Sequence, residues 1–116
     1  MTIKKLWGEE LIVVNNALYC GKMLKVLPNG YRSSIHYHVR KHETFFIFEG
    51  CLFLEIFKRE SIILDEFVLL NKGQKREITP LTPHRFWSRH VPALVIEFST
   101  HDLPNDSIRL EPSGVI

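Results

Sequence analysis

The chain has 116 residues, 45% of them hydrophobic and 24% charged, which suffices for one domain (residues 1–116) with a single core. The formal net charge is +2, and basic residues adjoin only at Lys4-Lys5, Arg40-Lys41, Lys58-Arg59 and Lys75-Arg76, which disfavours nucleic acid as a partner. No run approaches a membrane span and no leader-like stretch opens the chain, so a cytoplasmic protein without a membrane partner is expected.

Short apolar runs broken by turn residues predict strands over 11–14, 17–27, 32–38, 43–49, 51–57, 75–78, 84–88 and 93–100. The breaks fall at Asn15-Asn16, Pro28-Asn29-Gly30, Glu49-Gly50, Asn71-Lys72-Gly73, Pro80 to Pro83 and Val91-Pro92. Segment 61–70 fits a helix turn almost as well as a strand; it is read as strand with a turn at Asp65-Glu66. Regularly spaced short strands with this punctuation indicate an all-β sandwich or barrel. Cys20 and Cys51 fall in apolar strand segments and are expected as buried thiols, with no paired metal spacing. Runs such as Phe45 to Phe48 and Leu52 to Phe57 carry large side chains toward both faces. A small barrel has one interior, so the outer face needs a second cover, and a homodimer joined through sheet faces is expected.

Residues 34–47 carry the strongest chemical signal. His36 and His38, two apart on a strand, project to the same face about 6–7 Å apart, close enough for both to reach one ion. Glu43 returns after the polar stretch Val39 to His42, and His84 opens another short apolar run. Gly30 and Gly50 stand where an opening turn and a hairpin turn are required. The expected metal ligands are therefore His36, His38, Glu43 and His84, while His42, His90 and His101 lie in polar loops and read as solvated. Tyr37 and Trp87 fall on the opposite strand face from these ligands.

From Gly30 to Gly50 the chain reads G-x5-H-x-H-x4-E-x6-G, which resembles the first motif of the cupin superfamily at every fixed position. Gly73 through His84 resembles the second motif more loosely. Thr79 stands at its usual proline, Leu81 at its usual glycine, and Ser88 where asparagine is common. The resemblance implies a small jelly-roll barrel with His36, His38, Glu43 and His84 lining its interior. Leu6-Trp7-Gly8-Glu9, Lys22 to Val26, Ser34 to Gly50, Ile96 to Ser99 and Asn105 to Arg109 together resemble two cupin groups. These are the type II phosphomannose isomerase domains and the D-lyxose isomerase-like sugar isomerases. Here His36, Thr44 and Lys41 replace the glutamine, histidine and arginine of the phosphomannose group, and no sugar-nucleotide transferase domain is present.

Three imidazoles and a carboxylate leave two adjacent positions open on one divalent transition ion, whether Mn, Fe, Co, Ni or Zn. Such an ion polarises a hydroxy-carbonyl unit, so an aldose–ketose isomerisation through an enediol is the expected reaction, on a carbohydrate ligand. Lys22, matching the lysine of the pattern K-x-L-x-V, and Glu97, a carboxylate in an apolar run, are the candidate catalytic groups. Lys22 and Arg109 are candidate substrate-binding residues. Arg109 would act as a bidentate anchor for a sugar oxygen or phosphate, its alternative role being to tie the tail down through Asp106. Two other readings stay open: an iron- or manganese-dependent dioxygenase, and a cupin that binds a sugar or metabolite without catalysis.

Overall fold

The computed structural model describes residues 1–116. Its strands are β1 (Thr2–Lys5), β2 (Gly8–Asn15), β3 (Cys20–Val26), β4 (Tyr31–Arg32), β5 (Ile35–His38), β6 (Glu43–Glu49) and β7 (Cys51–Phe57). They continue with β8 (Leu64–Asn71), β9 (Lys75–Ile78), β10 (His84–Trp87), β11 (Ala93–Ser99), β12 (Ser107–Glu111) and β13 (Gly114–Val115). Antiparallel pairing builds a six-stranded sheet in the order β1-β2-β3-β11-β6-β9 and a five-stranded sheet in the order β12-β5-β10-β7-β8. The short pair β13-β4 forms a third sheet. No helix is long and apolar enough to cross a membrane.

Period-two alternation decides which side chains meet between the two large sheets. On β3, Cys20, Lys22, Leu24 and Val26 are buried, whereas Lys25 is exposed. Leu52, Leu54 and Ile56 of β7 face Phe45 and Ile47 of β6, with Ala93 and Val95 of β11 completing the centre of the core. Burial of each such side chain contributes roughly 1.5–3 kcal/mol. The apolar plug fills one end of the barrel and leaves the other end polar.

Several sequence expectations change at turns. The strand predicted over 17–27 begins at Cys20, because Asn16 Oδ1 accepts hydrogen bonds from the amides of Leu18 (2.8 Å) and Tyr19 (3.0 Å). That side-chain turn replaces the ladder for Ala17 to Tyr19. The strand predicted over 32–38 divides at Ser33-Ser34, where the Ser33 hydroxyl accepts from the Phe86 amide at 3.0 Å. No turn occurs at Asp65-Glu66. β8 continues across them with a bulge at Asp65, where the pairing passes from Glu66↔Ile56 to Leu64↔Phe57, and the chain reverses earlier, at Glu60, in left-handed conformation (φ 54°). Cys51 is partly exposed rather than buried, since it begins β7 at the hairpin rim. β1, β12 and β13 are not among the predicted strands: all are short and largely exposed, although Ser107 to Glu111 alternates polar and apolar residues.

The outer faces are apolar, as the two-sided strands required. Outside the five-stranded sheet, Trp87 stacks on Phe53 (centroids 5.7 Å apart, 8° between planes), Phe67 packs at its edge, and the Arg32 guanidinium covers its ring at 5.6 Å. Outside the six-stranded sheet, the register aligns Leu11, Met23, Ile96 and Phe46 in one cross-strand row. Leu11, Val13, Phe48 and Phe98 on that face are exposed.

Candidate metal centre

His36 on β5 pairs directly with His84 on β10, and Arg109 on β12 pairs with His36 from the other side. Opposed residues of an antiparallel pair point to the same face, so Arg109, His36 and His84 form a row across the inner surface of the five-stranded sheet. His38 lies two residues along, opposite Ser107. Glu43 opens β6 on the facing sheet, where Glu97 and Lys22 pair across β11 and β3.

The nitrogens of His36, His38 and His84 converge within 4.8 Å of one another, as a single metal ion requires. Glu43 approaches from the opposite sheet, with Oε1 3.0 Å from His84 Nε2 and Oε2 3.6 Å from His38 Nε2. His84 Nε2 and both Glu43 oxygens are buried, yet none makes an aligned hydrogen bond. Two donors each about 2.1 Å from a common ion, at right angles, lie about 3.0 Å apart. The 3.0 Å separation suits two ligands of one ion and equally an N–H···O contact, so what sets the pair apart is its missing alignment. The far ring nitrogens are fixed in support. His84 Nδ1 donates to the Thr82 carbonyl (3.0 Å) and His36 Nδ1 contacts the Ser34 carbonyl (3.2 Å) and hydroxyl (3.0 Å), leaving each Nε2 lone pair free.

Burial sets the protonation of the cluster. It pushes His36 well below the usual histidine range and His38 down to about 4, so both are neutral imidazoles at pH 7. Burial also opposes the charge on Glu43, but His84 and Lys41 beside it outweigh that and hold the carboxyl below its ordinary range. His84 is raised: burial disfavours its charged form, and contact with Glu43 more than compensates.

A buried cation completes the floor. Lys41 Nζ lies 2.9 Å from Glu97 Oε2, 3.3 Å from Glu43 Oε2 and 3.4 Å from Asp102 Oδ1. Its loop is anchored by Asp106, whose carboxylate accepts the amides of Arg40 (2.9 Å) and Lys41 (3.0 Å). Desolvation works against the ammonium, but Glu97 and Glu43 win and hold Lys41 above the ordinary lysine range. Lys22 Nζ is held in the same way, 2.7 Å from Asp102 Oδ2 and 3.0 Å from Glu10 Oε1, and is also raised. Glu97 goes the other way: burial first, then the nearby Glu43, pushes it up to about 7.

These groups line a cavity of about 360 Å³, in which only Trp7, Leu24, Phe45 and Phe86 are apolar. Its carboxylates are Glu10, Glu43, Glu97 and Asp102, and its buried lysines are Lys22 and Lys41. When ionised, these four acids are matched by four basic lining residues, the two buried lysines together with Lys5 and Arg109.

Of the residues singled out in the sequence, His36, His38 and His84 meet at one point, with Glu43 beside them. Lys22 and Glu97 both point into the cavity, but Lys22 is a paired ammonium and so a donor rather than a base. Arg109 lines the cavity and makes no contact with Asp106, whose oxygens serve the loop amides instead. His42 is exposed, 3.5 Å from Glu77. Lys41 was not singled out. The available signal was Glu97 itself, since a carboxylate in an apolar run needs a buried counter-charge.

No protein-family model matches the chain, and no curated protein sequence does. Solved structures do match. KdgF from a Halomonas species aligns at 18% identity over 84% of this chain and 81% of its own, with a TM-score of 0.68. The capsular polysaccharide assembling protein CapF of Staphylococcus aureus aligns at 15% identity over 96% of this chain and 31% of its own, with a TM-score of 0.77. The oxalate decarboxylase of Lactobacillus farciminis, in a formate complex, gives 15% identity, 95% and 33% coverage, and a TM-score of 0.73. This chain spans about a third of the latter two. The likeness establishes the fold as an all-β cupin jelly roll. Within that fold the chain carries a three-histidine cluster able to take a metal ion.

Proposed function

We propose that this cupin holds one divalent transition ion through His36, His38, His84 and Glu43 and interconverts an aldose and a ketose, on a sugar or sugar phosphate. The observation that supports this most is the meeting of the three histidines within 4.8 Å of one another beside a polar cavity that the buried carboxylate Glu97 also lines. A carboxylate lining the same space as the cluster is placed to act as the base that enolisation beside a carbonyl requires. A bound ion would supply Lewis-acid polarisation of a ligand carbonyl oxygen. Glu97 then removes the proton from the carbon beside the carbonyl and returns it to the former carbonyl carbon. A hydroxyl proton moves to the carbonyl oxygen, so no oxidant or reductant takes part. Lys41 keeps Glu97 and Glu43 in place, and Lys22 does the same for Asp102. The polar lining favours a hydroxylated ligand over an aromatic one. The apolar row outside the six-stranded sheet supports a homodimer formed through that face.

Metal-replete protein incubated in deuterium oxide with a panel of aldoses and their phosphates tests the reading by proton NMR. Deuterium is expected at the carbon beside the carbonyl, with ketose formation, and Glu97→Gln is expected to abolish both. Absence of exchange with every ion, alongside oxygen consumption with iron, contradicts isomerisation and favours a dioxygenase. Binding without any chemistry favours a ligand-binding role.

A further inference from the structure

We infer that the cavity mouth is an anion clamp in which Lys5 and Arg109 grip a carboxylate or phosphate group of the ligand whose other end reaches the histidine cluster. The inference deepens the proposed function and rests on its placing the ligand in this cavity. Four basic side chains line the cavity: Lys5, Lys22, Lys41 and Arg109. Two are spent on the protein, since Lys22 and Lys41 each sit on carboxylates at 2.7–3.4 Å. Lys5 and Arg109 have no such partner; the other ion pairs join residues elsewhere.

Their positions make them a pair. Lys5 ends β1, the outermost strand of the six-stranded sheet, and Arg109 lies on β12, the outermost strand of the five-stranded sheet. They are therefore on opposite lips of one opening, and the cross-strand pairing of Arg109 with His36 puts Arg109 on the same sheet face as the histidine cluster. Ser107 and Ser113 line the same space, with hydroxyls that make no hydrogen bond to the protein. The four lining acids and four lining bases balance, so a bound divalent ion leaves the cavity with a surplus of two positive charges, and Lys5 and Arg109 are the bases free to answer it with a ligand anion. A neutral sugar leaves both unanswered. A planar carboxylate or a phosphate accepts the guanidinium fork in bidentate fashion and the ammonium as a point charge.

Isothermal titration of the metal-replete protein with D-glucose, D-glucuronate and D-glucose 6-phosphate tests the clamp. At least one acid is expected to bind about 10- to 100-fold more tightly than glucose, the range of a charge-assisted contact. The preferred arm tells carboxylate from phosphate. Lys5→Gln and Arg109→Gln should each reduce that preference without changing metal content. Equal binding of all three probes, no measurable binding of any, or a preference that persists in the double variant overturns the clamp. Deuterium exchange on the same samples separates the two readings. Exchange without acid preference removes the clamp alone, and acid preference without exchange removes the isomerase alone.

Discussion

Replacing Lys41 with methionine deletes a buried charge while keeping the side chain's length and shape. Only 3% of the lysine side chain is exposed, against 1% of Glu43 and 7% of Glu97, so solvent screens these contacts little. Deleting one partner of a buried ion pair costs about 3–5 kcal/mol, and the lower figure applies here because Glu97 can take up a proton in response. An ion seated at Glu43 replaces part of the missing positive charge, so the metal-loaded variant should lose only about 1 kcal/mol. Metal binding and substitution close one thermodynamic cycle. A difference of about 2 kcal/mol between the two losses therefore requires the variant to bind the ion about 30-fold more tightly than the wild type. Urea unfolding at pH 7, with and without chelator, measures the first pair of numbers, and a competition titration measures the affinity. A loss below about 1 kcal/mol in the chelated protein refutes the role of Lys41 as internal counter-charge. So does weaker metal binding by the variant.

Gly50→Ala should cost about 2–4 kcal/mol in denaturant unfolding, since its backbone is left-handed (φ 75°) and a Cβ there collides with the Pro92 carbonyl oxygen. Gly30→Ala, also left-handed (φ 83°) but facing open space, should cost only about 1 kcal/mol; equal losses would remove the steric explanation. The pH dependence of the metal-free protein tests His38, whose folded pKa of about 4 lies below its unfolded value. Between about pH 6.5 and 4 the unfolded chain binds the extra proton, so this contribution is complete above pH 6.5 and falls by roughly 3 kcal/mol as pH drops to 4. Subtracting the stability curve of His38→Gln isolates it, and parallel curves would contradict the burial assigned to that ring.

Much of this fold was readable because its central strands are governed by local pattern. β6 and β7 occupy the predicted residues because their apolar runs flank Gly50, and β9, three charged residues and Ile78, does so because it lies between Gly73 and Pro80. The histidine row was readable from parity, as His36 and His38 share a face whatever the rest of the chain does. Other features depend on distant partners. β12 alternates Ile108 and Leu110 with polar residues, but all five residues are exposed and the strand is held by pairing with β5, so its place in the sheet depends on that distant partner. Lys41 sits in the polar run Arg40-Lys41-His42 and is buried only because Glu97 and Asp102 arrive from the far end of the chain. Leu81 is a further case. It adopts a left-handed conformation (φ 67°) at the position where the cupin motif usually has glycine, and its amide donates to the His38 carbonyl at 2.8 Å. The departure in residue type leaves the backbone shape intact.

Metal content bears most directly on the chemistry assigned to this cavity. Elemental mass spectrometry on untreated wild type, His84→Ala and His42→Ala, with circular dichroism on each, separates buried ligand from exposed histidine. About one divalent ion per chain is expected in the wild type and in His42→Ala, and little in a folded His84→Ala. A folded His84→Ala that keeps full occupancy, or a wild type that binds no ion even when one is supplied, would show that these side chains meet for some other reason.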